Sequence, residues 1–362
     1  MTDKSEYILP HDLTGDVYSP NLVVFLHGYP DSIRLWDYIF HEHEHDNLVL
    51  RISYPNYDKR LKSNWGWNLD DIVRGVKETI DFATKGHEYK LFFVSHDWGA
   101  HFTYRFDLTY PNLIKDAVIM DIGYEVPSNP LILLAMYIYQ LFLAVAFLLP
   151  KSIGTSMSNV FLNIVIKDHE VPNLKELDHS INYFYYYLFR WTFYQLTFFT
   201  IIYLYSWYSG SKLIFYSLIL LFIVYKYLTY GSSNIFKGYK PSFPFAYIYG
   251  MKKPFMFHTE EMLQYLTTKE NCEVHKLDVG HFVMDNNEKM INEVISRRLK
   301  ALNERENKKE MTIENVNTDT KEEGEENEQI HKFEKKSSIA PRTKIPVGKT
   351  NTKHVVREHN NI

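Results

Sequence analysis

Short apolar runs alternate with longer amphipathic segments along most of the sequence, and this alternation is interrupted once. Four apolar runs long enough for buried strands precede residue 124: Leu22–Leu26, Leu48–Ile52, Leu91–Val94 and Ala117–Met120. The segment Asn68–Thr84, between the second and third runs, has the pattern of a helix. Alternating strands and helices are typical of an α/β fold with a mainly parallel sheet flanked by helices.

The same pattern resumes later in the sequence. Apolar runs at Phe245–Tyr249 and Val274–Val279 predict two further strands, and Asn286–Ala301 predicts a closing helix. A sheet that is interrupted once and then completed indicates a core domain with an inserted segment. We therefore predict a core made of residues 1–124 and 238–301, with a helical cap domain inserted at residues 125–237.

The predicted cap is rich in apolar and aromatic residues. The runs Leu131–Leu149 and Trp191–Ser211 carry no charged residue, and at about 1.5 Å per helical residue each is long enough to span a bilayer. For Leu131–Leu149 we favour a cap helix that lines a pocket for lipophilic substrates. Residues 192–229 are longer than a cap requires, so they either complete the cap or contact a membrane.

Composition limits the partners and the compartment. The formal net charge is −4 over 362 residues and no basic face is evident, so we expect no nucleic-acid partner. A single cysteine, Cys272, excludes an internal disulfide framework. The polar N-terminus lacks the apolar core of a signal peptide, which predicts a cytoplasmic or membrane-associated location. Residues 302–362 are charged and poor in apolar residues, which predicts a disordered tail.

The stretch FFVSHDWGAHF, residues 92–102, contains a strand-turn-helix pattern around an aspartate. An apolar run that indicates a buried strand is followed by Asp97 and then by a segment that predicts a helix. Ser95 and Gly99 lie two positions before and after Asp97, where a sharp strand-to-helix turn leaves no space for a larger side chain. Such a nucleophile elbow projects its central side chain into a cleft, and here that side chain is a carboxylate.

Polar residues follow three other predicted strands. The sequence HGYPDS, residues 27–32, follows the first strand, Asp121 follows Ala117–Met120, and His281 lies in a Gly-His-Phe sequence after the last strand. The carboxyl ends of parallel strands face the ligand crevice. An acidic nucleophile, a second acid and a histidine in the order Asp97, Asp121, His281 therefore predict a hydrolytic triad.

Together, HGYPDS, SHDWGA and the terminal GHF resemble the epoxide hydrolase branch of the α/β-hydrolase superfamily. The resemblance covers residues 20–125 and 240–300 well and the cap loosely. It implies that Asp97 attacks an sp³ carbon to form an alkyl ester, which water deprotonated by His281 then hydrolyses. It also implies an oxyanion hole made of the backbone N–H groups of Tyr29 and Trp98, and a reaction without a cofactor or a metal.

One position departs from the family pattern. Family members often carry the triad acid in the loop after a strand resembling FAYIYG, and here Lys253 lies about where that acid would fall. Asp121 occupies the alternative acid position used by some haloalkane dehalogenases, and we predict that it is the triad acid. Glu260 or Glu261 is the alternative, although acids at those positions suit the N-terminus of a helix.

Members of the family also use two cap tyrosines as donors to the epoxide oxygen. The segment Tyr137–Phe142 resembles the first tyrosine region and favours Tyr139. In the second region, INYFYYY, strict alignment places Phe184 at the tyrosine position, and phenylalanine cannot donate. A shift of one residue gives Tyr183 or Tyr185, and we favour Tyr185.

The resulting hypothesis is a cofactor-free epoxide hydrolase that adds water to a lipophilic epoxide, such as a fatty-acid epoxide, and releases a vicinal diol. Tyr183 and Trp191 are predicted substrate contacts in the cap. The first alternative is a haloalkane dehalogenase with the same nucleophile, in which Trp98 and either Trp191 or Trp207 bind the halide. The second is a non-enzymatic membrane protein on a degenerate hydrolase scaffold, which Lys253 and the apolar insertion favour.

Overall fold

The structure is a computed structural model that describes residues 7–166, 171, 177–210, 216, 217, 219, 221, 236, 238–254 and 256–337. The chain divides into two compact units, Met1–Leu302 and Asn303–Ile362. The sheet and the inserted helices all belong to the first unit.

Seven strands in the described residues form one sheet in the centre of the first unit: β1 His11–Gly15, β2 Asn21–Leu26, β3 Leu48–Ile52, β4 Lys90–His96, β5 Ile114–Met120, β6 Phe245–Gly250 and β7 Glu273–Leu277. Their order across the sheet is β1-β3-β2-β4-β5-β6-β7, and every neighbouring pair is parallel except β1 and β3. The chain reverses its direction across the sheet after β3, because β3 and β4 lie on opposite sides of β2. In open α/β sheets, such a switch point forms a crevice at the carboxyl ends of the strands.

The central strands β2, β4, β5 and β6 are buried over nearly all their length. Strands that are covered on both faces have continuous apolar sequences, which is why the sequence pattern located them. The edge strands β1 and β7 are only partly buried and carry polar residues that an edge exposes to water. The predicted α/β fold with a mainly parallel sheet is confirmed.

The helices of the described residues are α1 Asp37–Phe40, α2 Leu69–Ala83, α3 Trp98–Thr109, α4 Pro130–Leu148, α5 Lys151–Val165, α6 Tyr183–Ser209, α7 Glu260–Thr268 and α8 Glu288–Ser337. Helix α2 begins after Asn68, whose side-chain oxygen accepts hydrogen bonds from the backbone N–H groups of Asp70 and Asp71 at 3.0 and 2.9 Å. A buried ion pair between Arg298 Nε and Asp116 Oδ1, at 2.6 Å, joins α8 to β5.

The inserted helices α4 and α6 pack against each other in antiparallel directions. The ring of Phe147 lies 5.2 Å from that of Tyr186, and the ring of Tyr137 lies 5.0 Å from that of Phe189. The C-terminal part of α4 and the N-terminal part of α6 contain the buried residues of this pair. In its described residues, the insertion between β5 and β6 is therefore helical.

Within the described part of the chain, α4 is the one helix that is long and apolar enough to cross a membrane, and 22% of that stretch is buried. A core helix of a soluble protein meets the same criteria, so this is weak evidence for a membrane span. The predicted membrane-contacting segment 192–229 is helical as far as Ser209. Its residues 211–215, 218, 220 and 222–229 lie outside the described residues.

Helix α8 continues past Ala301, where the sequence pattern predicted its end, and takes in the segment as far as Ser337 that was predicted to be part of a disordered tail. After the buried Leu302, this segment is rich in Glu and Lys, which have good helix propensity without any apolar pattern. Ion pairs one turn apart support such a helix, and Lys309 Nζ lies 2.6 Å from Glu306 Oε1. Residues 338–362 of the predicted tail lie outside the described residues.

Candidate active site

Asp97 occupies a strained turn between β4 and α3. Its backbone has φ 50° and ψ −117°, a conformation that residues with a side chain rarely adopt. A Cβ atom on Gly99 would lie 2.1 Å from the backbone oxygen of Leu26, and one on Gly28 would lie 2.5 Å from the Asp97 Cβ. Both positions therefore need glycine, because the loop after β2 and the start of α3 approach each other closely. This strand-turn-helix geometry is that of a nucleophile elbow.

Two backbone N–H groups donate hydrogen bonds to the Asp97 carboxylate. The N–H of Tyr29 donates a hydrogen bond to Asp97 Oδ2 at 2.8 Å, and the N–H of Trp98 also donates to this carboxylate. The two donors come from the loops after β2 and β4, which are neighbours at the switch point of the sheet. They are the residues predicted for the oxyanion hole.

His281 lies between two carboxylates. Its Nδ1 contacts Asp121 Oδ2, and its Nε2 lies 3.6 Å from Asp97 Oδ1. The second distance is too long for a direct hydrogen bond, so Nε2 remains available for a small molecule such as water. The side chains of His281 and Asp97 are 17% and 15% exposed, and that of Asp121 is fully buried.

The Asp121 carboxylate is held from three sides. In addition to His281, the Lys253 ammonium group donates to Asp121 Oδ1 at 2.5 Å, and the backbone N–H of Gly250 donates to the same oxygen at 3.1 Å. Glu260 and Glu261, the alternative acids, are exposed in the first turn of α7, after the N-cap Thr259. The structure therefore brings Asp121 to His281 and leaves both glutamates at the surface.

The charges in this cluster change the pKa values of its members. Burial alone would raise the pKa of Asp121, but the charges of His281 and Lys253 and their hydrogen bonds lower it to about 2. Burial lowers the pKa of His281, but Asp121 and Asp97 outweigh burial and the charge of Lys253, so the net change is upward. The pKa of Asp97 is raised, chiefly by burial, although His281 and the backbone N–H groups oppose this.

Helices α4 and α6 bring two predicted tyrosines close to each other, one of them beside Trp98. Tyr185 on α6 lies edge-on to the rings of Tyr29 and Trp98, with centroids 5.2 and 5.5 Å apart. The ring of Tyr139 on α4 lies 6.3 Å from that of Tyr185. Burial raises the pKa of both hydroxyl groups, and the negative charge of Asp97 raises each further.

Two other predicted cap residues do not reach the site. Tyr183 is fully buried, and its ring packs against Gly66 and Tyr57. Trp191 is 65% exposed. Both positions follow from helix geometry: at about 100° per residue, Tyr183 lies two residues and Trp191 six residues from Tyr185, so neither shares its face of α6. Their role as substrate contacts stays a prediction, and these positions do not favour it.

Sequence reasoning missed the contact between Lys253 and Asp121. It treated Lys253 only as a departure from the family pattern. The available signal was that the two residues follow the neighbouring strands β5 and β6, whose carboxyl ends lie side by side in a parallel sheet.

Among the described residues, no group of three or more His, Cys, Asp or Glu side chains is placed to hold a metal ion.

The mostly parallel sheet, the strained elbow after β4 and the polar residues after β2, β5 and β7 define an α/β-hydrolase fold. Solved structures with a similar fold include a thermophilic esterase from Thermogutta terrifontis (10% identity, TM-score 0.53, covering 81% of this chain and 93% of that chain). A putative ancestral haloalkane dehalogenase has 13% identity and a TM-score of 0.52, and the similarity covers 82% of this chain and 96% of that chain. Bacillus megaterium epoxide hydrolase in complex with an inhibitor has 18% identity and a TM-score of 0.50, and the similarity covers 81% of this chain and 96% of that chain. At these identities the likeness shows the fold alone.

Two proteins with similar sequences are epoxide hydrolases. Epoxide hydrolase 3 of Mus musculus is 31% identical over 118 residues, which are 32% of this chain and 31% of that protein. Epoxide hydrolase 4 of Homo sapiens is 22% identical over 102 residues, which are 28% of this chain and 27% of that protein. The match thus spans less than a third of each relative, and no protein-family model matches the chain. The predicted resemblance to epoxide hydrolases is confirmed.

Proposed function

We propose that this protein is an epoxide hydrolase that converts a lipophilic epoxide, such as a fatty-acid epoxide, to a vicinal diol through an alkyl ester on Asp97. The observation that carries the proposal is a carboxylate at the nucleophile elbow, with an acid-paired histidine on one side and two tyrosines of α4 and α6 close by, of which Tyr185 is buried and Tyr139 partly buried. Serine at an elbow supports attack on an ester carbonyl, whereas a carboxylate suits displacement at an sp³ carbon.

In the first step, Asp97 Oδ1 attacks one carbon of the epoxide ring. The carbon–oxygen bond of the ring breaks, and its oxygen takes a proton from Tyr139 or Tyr185, which gives a hydroxyl group on the neighbouring carbon. The N–H of Tyr29 holds Oδ2, and the N–H of Trp98 also donates to this carboxylate, so we assign the attack to Oδ1. A tyrosine hydroxyl, with an ordinary pKa of about 10, carries at neutral pH the proton that a donor requires, and burial and the charge of Asp97 raise the pKa of both tyrosines further.

In the second step, His281 Nε2 takes a proton from a water molecule, and the resulting hydroxide attacks the ester carbonyl carbon. The carbonyl oxygen, Oδ2, becomes an oxyanion that the N–H groups of Tyr29 and Trp98 stabilise, a contribution of about 3–4 kcal/mol per donor in comparable enzymes. Collapse of this intermediate breaks the ester bond, and the alkoxide leaves with the proton from His281 as the diol. The proton left on the Asp97 carboxyl group returns to the tyrosinate formed in the first step, which restores the starting state. Asp121 holds the imidazolium during this step.

The chemistry itself prepares His281 for its role. In the free protein, the charge of Asp97 contributes to raising the pKa of His281. Once the ester forms, Asp97 is neutral and this cause disappears. The pKa of His281 then falls, which favours the free imidazole that a general base requires.

The dehalogenase alternative has less support in the structure. A halide leaving group is bound by two donors near the nucleophile, and Trp98 is adjacent to Asp97. Trp191 and Trp207, the predicted second donors, are 65% and 76% exposed on α6. The non-enzymatic alternative rested on Lys253 and on the apolar insertion, and the contact between Asp121 and His281 weakens the first of these two grounds.

A single assay distinguishes the three functions. The protein is incubated with an epoxy fatty acid and, separately, with a bromoalkane, and diol and bromide are measured. Diol without bromide supports the proposal, bromide without diol supports the dehalogenase, and neither product supports the non-enzymatic alternative. Asp97→Asn in the same assay separates this protein from a contaminating hydrolase, because only the wild-type protein is expected to form diol.

Tyr139 and Tyr185 are expected to act as the two proton donors. Tyr139→Phe and Tyr185→Phe should each slow ester formation about tenfold or more, and the double variant should slow it by about 10²–10⁴-fold, since a positioned acid contributes on that scale. Single-turnover rates with an epoxide measure this. Tyr183→Phe is the matched control, because its buried hydroxyl has no hydrogen-bond partner and packs away from Asp97. A larger loss with Tyr183→Phe than with Tyr185→Phe would show that the wrong tyrosine was chosen.

We also propose that the cap contacts a membrane from which the substrate arrives. Antiparallel packing places the N-terminal half of α4 and the C-terminal half of α6 at the same end of the pair, and both halves expose large apolar side chains: Leu134, Ile138, Leu196, Phe198, Ile201 and Leu204. Water-soluble surfaces rarely expose a patch of this kind. Abundant tyrosine and tryptophan on α6 also suit a membrane–water interface.

Flotation with phosphatidylcholine vesicles tests this contact. The wild-type protein should float with the vesicles, and a triple variant of α6, Leu196→Glu, Ile201→Glu and Leu204→Glu, should lose more than about half of the bound fraction, because charges do not enter the apolar layer. Val17→Glu is the control for an exposed apolar residue outside the cap. A wild-type protein that stays below the vesicles would refute the contact.

A further inference from the structure

Lys253 is a charged side chain buried beside the proposed triad. This side chain extends from the loop after β6 and is 3% exposed. Its ammonium nitrogen lies 2.5 Å from Asp121 Oδ1. The other carboxylate oxygen of Asp121 is taken by His281. Burial of an ammonium group costs free energy that a surface lysine does not incur, so a lysine at this position calls for an explanation. Its neighbour Lys252 has an ordinary surface environment, 63% exposed and paired with Asp278.

We infer that Lys253 is a positioning residue for ester hydrolysis: it fixes Asp121 through one oxygen, presents the other to His281, and offsets the negative charge that Asp121 places beside the imidazole. This inference rests on the proposed function. The division of the carboxylate is geometric, since Lys253 and Gly250 both hold Oδ1, and Oδ2 is left for the imidazole.

The charges that act on His281 come from the groups that surround it. Asp121 comes from the end of β5, Asp97 from the elbow, and Lys253 from the loop after β6. His96, at the end of β4, uses its Nε2 to hydrogen-bond the backbone oxygen of His281 at 3.0 Å. His258, which follows the loop after β6, has its pKa lowered to about 4 by burial and by Lys253, so it carries no charge at neutral pH.

After the ester has formed, Asp97 no longer carries a charge. His281 then faces the negative Asp121 and the positive Lys253, whose charges oppose each other, so burial favours the neutral imidazole. Without Lys253, Asp121 would act on His281 unopposed. The imidazole would then stay protonated to higher pH, and hydrolysis of the ester would need a more alkaline solution.

The test measures ester hydrolysis as a function of pH. The full-length protein is mixed with an epoxide, and the decay of the alkyl ester is followed by rapid quenching and mass spectrometry from pH 5 to 9. In Lys253→Met and Lys253→Gln, the midpoint of the acid limb should rise by about 1–2 pH units, the size of the effect that one nearby charge has on a buried group. Lys253→Arg, which keeps the charge, and Lys252→Met should stay within about 0.3 pH unit of the wild-type value.

A readout without substrate separates this inference from the proposed function. In an NMR titration of the free protein, the pKa of His281 should be higher in Lys253→Gln than in the wild-type protein, in the same direction as the midpoint of ester hydrolysis. This result does not depend on a reaction with an epoxide. If the wild-type protein forms neither ester nor diol, the proposed function fails; if the neutral variants form ester and titrate like the wild-type protein, the inference about Lys253 fails. Lys253→Gln keeps a donor to Asp121 in case Lys253→Met does not fold. Loss of folding in both, with Lys253→Arg folded and unchanged, would overturn the inference in favour of a purely structural charge.

Discussion

His281→Gln is expected to turn the protein into one that reacts once with an epoxide and then stops. Ester formation needs Asp97 and the cap tyrosines, and His281 makes no direct hydrogen bond to Asp97 Oδ1, which lies 3.6 Å away. Ester hydrolysis needs the imidazole as a base. Steady-state turnover should therefore fall by roughly four orders of magnitude or more, the effect of removing the histidine from comparable triads.

The trapped ester is the measurement. After incubation with an epoxide and digestion, the peptide that contains Asp97 should gain the mass of one epoxide molecule in His281→Gln, and little or none in the wild-type protein. His275→Gln is a matched control, since His275 lies on β7 and pairs with Glu273 at 2.9 Å, away from the elbow. Full turnover by His281→Gln, or a mass gain on a peptide without Asp97, would contradict the covalent mechanism.

The sequence located the central strands because each is covered on both faces. The runs that became β2, β4, β5 and β6 are almost continuously apolar, so their burial could be predicted without any knowledge of their neighbours. Strand β1, His11–Gly15, has the sequence HDLTG and gave no such signal. It exists because its backbone pairs with β3 at the edge of the sheet, a long-range contact that local composition does not encode.

The polar groups of the candidate site also include some that the sequence located and one that it could not fix. Asp97 could be located from the small residues around it, and Asp121 and His281 from their positions after strands, because local geometry places all three. The tyrosine on α6 could not be fixed, since Tyr183, Phe184 and Tyr185 are all aromatic and only the direction of the helix decides which one faces Asp97. The structure turns Tyr185 towards Trp98 and Tyr183 towards Gly66.

Asp121→Asn is expected to slow ester hydrolysis by about 10³–10⁴-fold while ester formation changes only a few-fold. An asparagine cannot stabilise the imidazolium and favours the wrong tautomer of the imidazole, as in other triads. The measurement is the rate of each half-reaction in a single turnover. Glu260→Gln and Glu261→Gln are the controls and should behave like the wild-type protein, because both glutamates are exposed in α7. Slow hydrolysis in either control, with normal hydrolysis in Asp121→Asn, would assign the acid to α7.

The same substitution also leaves the buried Lys253 without its carboxylate, so Asp121→Asn should lower the free energy of unfolding by about 3–5 kcal/mol. The double variant Asp121→Asn, Lys253→Met removes both charges and should recover much of this stability, which chemical denaturation measures. Hydrolysis should remain slow in the double variant, because His281 still lacks its acid. If hydrolysis recovers together with stability, the loss in the single variant came from a damaged fold, and Asp121 would have no part in the chemistry.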